Sequence, residues 1–101
     1  MLEAWKSKWG EPTEARLREK LEAEGYSVAR YEYPPGTYFP DHTHPHEKKD
    51  AVVEGRFRIR MKGREFILGP GDLIHVPAGA VHSAEVVGEK PVVSLDAVKM
   101  R

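Results

Sequence analysis

From Tyr26 onward the chain is a series of short extended runs separated by turns that contain glycine or proline, and this pattern constrains the fold most strongly. The clearest run is Arg56–Met61, where apolar residues alternate with arginines. A strict period of two predicts a strand with one buried and one exposed face. Lys62-Gly63 then favours a tight hairpin turn into a strand at residues 65–68.

The same reasoning extends to the rest of this region. Further strands are predicted at residues 26–33, 73–76, 81–87 and 92–98, with turns at 69–72 and 77–79. Seven or eight strands in so short a stretch predict an all-β domain that closes on itself. No repeat or linker interrupts it, so we expect a single domain.

The region before Tyr26 has a different pattern. Residues 13–24 are rich in charged, helix-favouring side chains, with Thr13 as a predicted N-cap and Gly25 as the stop. The apolar stripe of this short helix is thin and consists mainly of Leu17 and Leu21. The helix is therefore expected to cover a core that the strands build.

The first residues contribute apolar and aromatic side chains. Leu2, Trp5 and Trp9 lie at helical spacing and predict an aromatic packing patch. We expect residues 1–25 to form an N-terminal helical extension on the barrel or on a partner, and residues 26–101 to form the barrel. This apolar material exceeds what a small barrel needs on its outside, and it predicts a homodimer.

Composition narrows the possible partners. The 16 basic and 16 acidic residues cancel, so the chain lacks the positive field that favours nucleic acid, and no nucleic-acid partner is expected. The apolar runs are too short for a membrane span, and the start does not resemble a signal peptide. A cytoplasmic protein without a membrane partner is the expectation. With no cysteine, any site for a soft metal must use histidine.

Three of the five histidines fall within five residues of one another. His42 and His44 are separated by one residue, so on an extended segment their imidazoles project from the same side and can converge on one ion. A solvent-exposed, histidine-rich loop after Pro40-Asp41 is the alternative interpretation of this string alone.

Two patterns extend beyond these histidines. Gly36, five residues, His42-Thr43-His44 and then Gly55 resemble the first cupin motif, G(X)5HXH(X)3-4E(X)6G. Gly71, five residues, Pro77-Ala78-Gly79, two residues and His82 resemble the second cupin motif, G(X)5PXG(X)2H(X)3N. The sequence is therefore identified as similar to the cupin family over about half of its length.

This resemblance implies a fold and a metal site. The implied fold is a single-domain jelly-roll β-barrel of six or eight antiparallel strands. The implied site places His42, His44 and His82 around one divalent transition metal such as Zn, Mn, Fe, Ni or Cu. Three neutral imidazoles suit such metals and leave positions open for water or substrate.

The sequence departs from the family pattern at two positions. Lys48 stands where the first motif has its Glu ligand, and an ammonium cannot bind a metal. Glu47 is the nearest carboxylate, but an offset of one residue turns it to the opposite face unless a bulge intervenes. Lys48 is expected to enter the cavity near the ion or near Asp50. Val86 replaces the Asn of the second motif, which is not a ligand in the family.

The remaining two histidines are assigned outside the metal site. His46 follows Pro45 and is expected at the rim, in contact with solvent or substrate rather than with the metal. His75 alternates with apolar neighbours, and the sequence leaves open whether it is a structural histidine or a cavity residue.

Two functions fit these features. In the first, the chain is a metal-dependent enzyme, an isomerase, lyase or oxygenase, that acts on a small oxygenated or sugar-like molecule. Lys48 would be its catalytic acid or base, with a pKa lowered by burial and a nearby cation. In the second, the barrel is a non-catalytic module that binds or senses a small anionic or sugar ligand, held by Lys48.

Overall fold

The computed structural model describes residues 2–100, which form two antiparallel sheets, one helix and a 3-10 turn at Ser7–Trp9. The elements are β1 (Leu2–Glu3), α1 (Glu14–Ala23), β2 (Tyr26–Tyr33), β3 (Tyr38–His42), β4 (Lys48–Glu54), β5 (Arg56–Met61), β6 (Arg64–Leu68), β7 (Leu73–Val76), β8 (His82–Val87) and β9 (Val92–Lys99).

The two sheets contain every strand of the described part of the chain. One has five strands in the order β1-β7-β4-β9-β2, and the other has four in the order β3-β8-β5-β6. Apart from the hairpin of β5 and β6, neighbouring strands are not consecutive in the sequence, as in a jelly roll. The predicted all-β class with a short N-terminal helix is confirmed, and each strand predicted from the sequence lies within about one residue of an observed one.

The hairpin between β5 and β6 shows how the sequence sets the register. Lys62 and Gly63 both have positive φ, 54° and 73°, as a two-residue turn of this hand requires. Phe57, Ile59 and Met61 then point inward, at most 5% exposed. The alternation in the sequence was therefore a correct guide to the buried face.

The main core lies between the two sheets. Each sheet contributes the inward side chains of its strands to this core. The burial of these apolar side chains holds the two sheets together through the hydrophobic effect. The buried members of this core are Val52, Phe57, Ile59, Met61, Phe66, Leu68, Ile74, Val76, Ala84, Val86 and Val92.

Helix α1 covers the outer face of the five-stranded sheet. The hydroxyl of Thr13 accepts a hydrogen bond from the Arg16 N–H at 3.2 Å, as predicted for an N-cap. Leu17 and Leu21 are fully buried in a second cluster with side chains from β2, β4, β7 and β9. The division of the chain at residue 25 itself stays a prediction.

The helical spacing assigned to the first residues is wrong at Leu2. Leu2 and Glu3 form a short strand, and Leu2 pairs with Ile74 of β7. The edge of β7 offers unpaired backbone groups, and strand pairing satisfies them. Trp5 and Trp9 do form the expected aromatic patch, with their rings edge to face at 5.1 Å. Within residues 2–100, no helix is long and apolar enough to cross a membrane.

Candidate metal centre

A bulge in β3 directs the first histidine inward. Tyr38 pairs with Glu85 and Phe39 with Ala84, but His42 pairs with His82, so β3 holds one extra residue before this last pair. An extra residue reverses which side chains face the core. Phe39 and His42 therefore share the inward side despite their odd spacing. Proline at position 40 suits this place, because it has no N–H for the strand ladder.

Three imidazoles come together where His42 of β3 pairs with His82 of β8. The ring centroids are 4.7 Å apart for His42 and His44, 4.3 Å for His42 and His82, and 5.1 Å for His44 and His82. One possible ligand atom from each residue lies within 4.8 Å of the other two. Two nitrogens bound to one ion are at most about 4.2 Å apart, so a small movement of the rings is sufficient. We call these three residues the histidine cluster.

Backbone carbonyls fix the orientation of two of these rings. His42 Nδ1 lies 2.6 Å from the carbonyl oxygen of Pro40, and His82 Nδ1 lies 3.0 Å from that of Ala80. Because a carbonyl oxygen only accepts, each Nδ1 carries the hydrogen and donates it. The lone pair of each ring is then on Nε2, the arrangement that histidine ligands of metals generally have.

The turn before β8 positions the third member of the cluster. Gly79 has a φ of 77°, in the region that favours glycine, and its N–H donates to the carbonyl oxygen of His44 at 2.9 Å. This bond holds the loop that carries His44 against the turn that leads into His82. The predicted role of Gly79 as a turn residue is therefore confirmed.

Electrostatics favours the neutral, metal-binding form of His44 and His82. Burial lowers the pKa of His44, and the charge of Lys48 and the neighbouring histidines lower it further. Burial also lowers the pKa of His82 against the opposing effect of the Ala80 carbonyl. Neutral imidazoles are the form that binds a metal, so this donor set fits a divalent transition metal.

Lys48 enters the cavity, as the sequence predicted. Its Nζ donates to Asp96 Oδ1 at 2.8 Å and lies 3.7 Å from Asp50 Oδ1. Asp50 and Asp96 are direct partners across β4 and β9, so their side chains stand next to each other on the inner face. We call these three residues the lysine–aspartate cluster.

The lowering of the Lys48 pKa was predicted beside a bound cation and stays a prediction, whereas the protein's own groups raise this pKa. Burial does lower it, but Asp50 and Asp96 outweigh that effect and raise the pKa above its ordinary value. Lys48 is therefore a cation at neutral pH. Burial and the adjacent Asp96 raise the pKa of Asp50 well above its usual range. Burial also opposes ionisation of Asp96, but hydrogen bonds from Asp50 and Lys48 lower its pKa overall.

The cavity that joins the two clusters has a volume of about 120 Å³. Tyr33, Phe39 and Phe57 form its aromatic wall, with ring centroids 5.0 to 6.4 Å apart. The lysine–aspartate cluster forms the charged part of the lining, which we call the charged wall. About four water molecules occupy such a volume in the liquid, so the cavity suits a ligand, or part of one, with only a few heavy atoms.

The residues that the sequence left undecided lie outside this cavity. Glu47 points to the opposite face, where its Oε2 accepts from the Tyr26 hydroxyl at 3.1 Å and lies 2.6 Å from His75 Nε2. His75 is thus placed on the outer face of the sheet. His46 is exposed and is not part of the histidine cluster.

Asp96 was not predicted from the sequence as a site residue. A signal for it exists, because it is the one charged residue between Val92 and Val98 and occupies the same face as Ser94. A carboxylate among buried neighbours needs a charged or hydrogen-bonding partner. The sequence alone did not show that this partner is Lys48, which is 48 residues away along the chain.

With this geometry established, comparison with known proteins decides the family. A family model described as "Cupin domain" matches residues 29–98. The chain belongs to the cupin family. The matched segment contains the histidine cluster and the lysine–aspartate cluster, so both lie within the cupin fold itself.

Individual relatives are similar over only part of their length. Quercetin 2,3-dioxygenase of Bacillus subtilis (strain 168) is 39% identical over 59 residues, which are 57% of this cupin and 18% of that protein. The chain spans between 16% and 37% of the curated relatives it matches.

Solved structures confirm the fold. The DMSP lyase DddQ from Ruegeria pomeroyi DSS-3 has a TM-score of 0.67 and 28% identity. The match covers 74% of this cupin and 38% of that chain. KdgF from Halomonas sp. has a TM-score of 0.65 and 23% identity, covering 76% of this cupin and 71% of that chain.

Proposed function

We propose that this cupin is a metal-dependent enzyme in which His42, His44 and His82 hold one divalent transition metal. The observation that carries the proposal is the convergence of three inward imidazoles, two with Nδ1 tied to a carbonyl oxygen. When bound, such a metal acts as a Lewis acid that polarises a substrate oxygen. Three imidazoles suit Zn, Mn, Fe, Ni and Cu alike.

The proposed substrate is a small oxygenated or sugar-like molecule, and the charged wall supports this choice. Lys48, as a buried cation, donates hydrogen bonds to a substrate oxygen and stabilises negative charge there. Asp96 is the adjacent ionised carboxylate, and its hydrogen bond with Lys48 orients the ammonium. The aromatic wall supplies apolar surface for the carbon atoms of the substrate.

The proposed reaction is an isomerisation, an elimination or an oxygenation. In each of them the metal would polarise a substrate oxygen, and the Lys48 ammonium stabilises the negative charge that develops there. Similarity to a dioxygenase and to a lyase supports an enzymatic role for this cupin.

A binding or sensing module is the second candidate. It is favoured by one observation, that Lys48 occupies the position of the fourth ligand in the first motif and is engaged by Asp96 instead. In that case the cavity holds a small anion without chemical change.

Metal content separates the two candidates. We expect protein purified without chelators to contain about one first-row transition ion per chain, and each histidine-to-alanine variant to lose most of it while remaining folded. A wild-type protein that neither contains nor takes up a stoichiometric ion contradicts the enzyme and supports the module. Alanine variants that keep the wild-type metal content contradict the assigned ligands.

A further inference from the structure

One oxygen atom of the cavity has no hydrogen-bond partner. Asp50 Oδ1 is buried, and no donor lies within hydrogen-bonding distance of it in the described part of the chain. The nearest ammonium, that of Lys48, is 3.7 Å away and donates to Asp96 instead. A buried acceptor without a donor costs about 1–3 kcal/mol, so its presence beside a cavity needs an explanation.

The position of Asp50 beside the cavity explains why its Oδ1 has no partner. Its side chain is only about 10% exposed, and it lines the same cavity as the histidine cluster. A ligand in this cavity that carries a hydroxyl group can donate the missing hydrogen bond to Oδ1. Asp50 therefore favours ligands with a hydroxyl over ligands with a methyl or methylene group at that point.

Lys48 adds a second requirement. An ammonium has three N–H donors, and one of them is used by Asp96. The others are available to a ligand oxygen, and a carboxylate is the strongest acceptor of such bonds among small organic groups. The positive charge of Lys48 cancels the negative charge of Asp96, and Asp50 is held neutral. The divalent metal proposed above would therefore make the net charge of the site positive. An anionic ligand is then attracted to the cavity.

We propose that the lysine–aspartate cluster is a substrate subsite that selects a small 2-hydroxycarboxylate, whose hydroxyl donates to Asp50 and whose carboxylate accepts from Lys48. This inference rests on the proposed function, because it gives that reaction its substrate class. The cavity volume of about 120 Å³ accommodates only a molecule of this size or the end of a longer one.

Three small probes test the two requirements separately. Lactate carries both groups, propionate lacks the hydroxyl, and propane-1,2-diol lacks the carboxylate. We expect metal-loaded wild-type protein, titrated by calorimetry and by NMR, to bind lactate at least roughly tenfold more tightly than either analogue, the effect of one hydrogen bond to a buried polar group. Equal affinities for lactate and propionate, or no binding of lactate at millimolar concentrations, overturn the proposal.

Variants assign the preference to individual residues. Asp50→Asn keeps an acceptor oxygen and should keep the preference for lactate over propionate, whereas Asp50→Leu should abolish it. Lys48→Met should weaken lactate and propionate together and leave the diol unchanged. Lys49→Met is the matched control, because Lys49 is the next residue on the same strand and pairs with Glu3 and Glu24 on the outer face. A preference that Lys49→Met alters as much as Lys48→Met contradicts the assignment.

The same titrations distinguish failure of the subsite from failure of the proposed function. Protein that binds metal but treats lactate and propionate alike refutes the subsite alone. Protein that binds no metal but still prefers lactate refutes the metal enzyme and supports the subsite as part of a binding module.

Discussion

Replacing Lys48 with methionine should destabilise the metal-free protein by about 2–3 kcal/mol at pH 7. Methionine has nearly the same length and no charge, so the variant removes the cation and leaves the packing. Removing one partner of a buried ion pair costs about 3–5 kcal/mol. The expected loss is smaller here, because the Asp96 side chain is 27% exposed and Asp50 is held neutral, which leaves only one charge without its partner.

The effect should depend on pH in a defined direction. Asp96 has a lowered pKa in the wild type, so the stability it gains from Lys48 is present above its ordinary pKa of 3.8 and is lost as the pH falls through its folded-state value. In the variant the same carboxylate lacks its cation, its pKa rises, and protonation at mildly acidic pH relieves the cost. The stability difference between the two proteins should therefore shrink as the pH falls from 7 to 4.

Urea unfolding monitored by tryptophan fluorescence and circular dichroism measures both quantities. Lys49→Met serves as the control, since its partners Glu3 and Glu24 are 38% and 33% exposed and an exposed pair contributes at most about 1 kcal/mol. A loss for Lys48→Met below about 0.5 kcal/mol, or a difference that stays constant between pH 7 and pH 4, would show that Lys48 does not stabilise Asp96 as argued.

The remaining predictions concern the metal, the helix and the assembly. Metal affinity should fall as the pH decreases through the range in which the histidine cluster is protonated. Because the pKa values of His44 and His82 are lowered, the pH at which half of the affinity is lost should lie below that of an ordinary histidine site. Metal titration at several pH values measures this midpoint, and a midpoint above about pH 7 contradicts the prediction. Lys48→Gln should tighten metal binding, since it removes a cation near the three imidazoles and offers an amide oxygen; equal affinity for both proteins means that the side chain does not reach the ion. Leu17→Ala should cost about 2–5 kcal/mol in urea unfolding, because Leu17 is fully buried between α1 and the sheet; a loss under 1 kcal/mol contradicts that packing. We also propose a homodimer, because β2 is an outer strand of its sheet and carries the half-exposed Tyr31, and a monomer in light scattering at micromolar concentration contradicts it.

Six of the nine described strands were predictable, because for them local signals and long-range packing agree. In Arg56–Met61 the alternation, the turn at Lys62 and the buried face all indicate the same register. The first residues were not predictable in this way. Leu2 shares helical spacing with Trp5, but the free edge of β7 determines its structure, and an edge formed 70 residues later leaves no trace in the local sequence.

The histidine cluster was predictable from motif spacing, but its geometry depends on a feature the spacing hides. A strand without a bulge that pointed Phe39 inward would also point residue 41 inward and His42 outward. The extra residue in β3 corrects this, and it is visible only from the pairing of His42 with His82. Spacing thus identified the ligand candidates, while the bulge explains how they come to share one face.

Lys48, Asp50 and Asp96 stabilise one another in the cavity, and this bears on function. A lysine placed alone in the position of a metal ligand would bury an unpaired cation, which is strongly destabilising. Asp96 removes that cost with a hydrogen bond of 2.8 Å, and Asp50 takes up the proton that two adjacent carboxyl groups cannot both release. The lysine is therefore accompanied by the partners it requires, on a strand that is not its neighbour in sequence. A buried lysine without these partners would be strongly destabilising, so the arrangement favours Lys48 as a working part of the cavity, a role that the enzyme and the binding module both require.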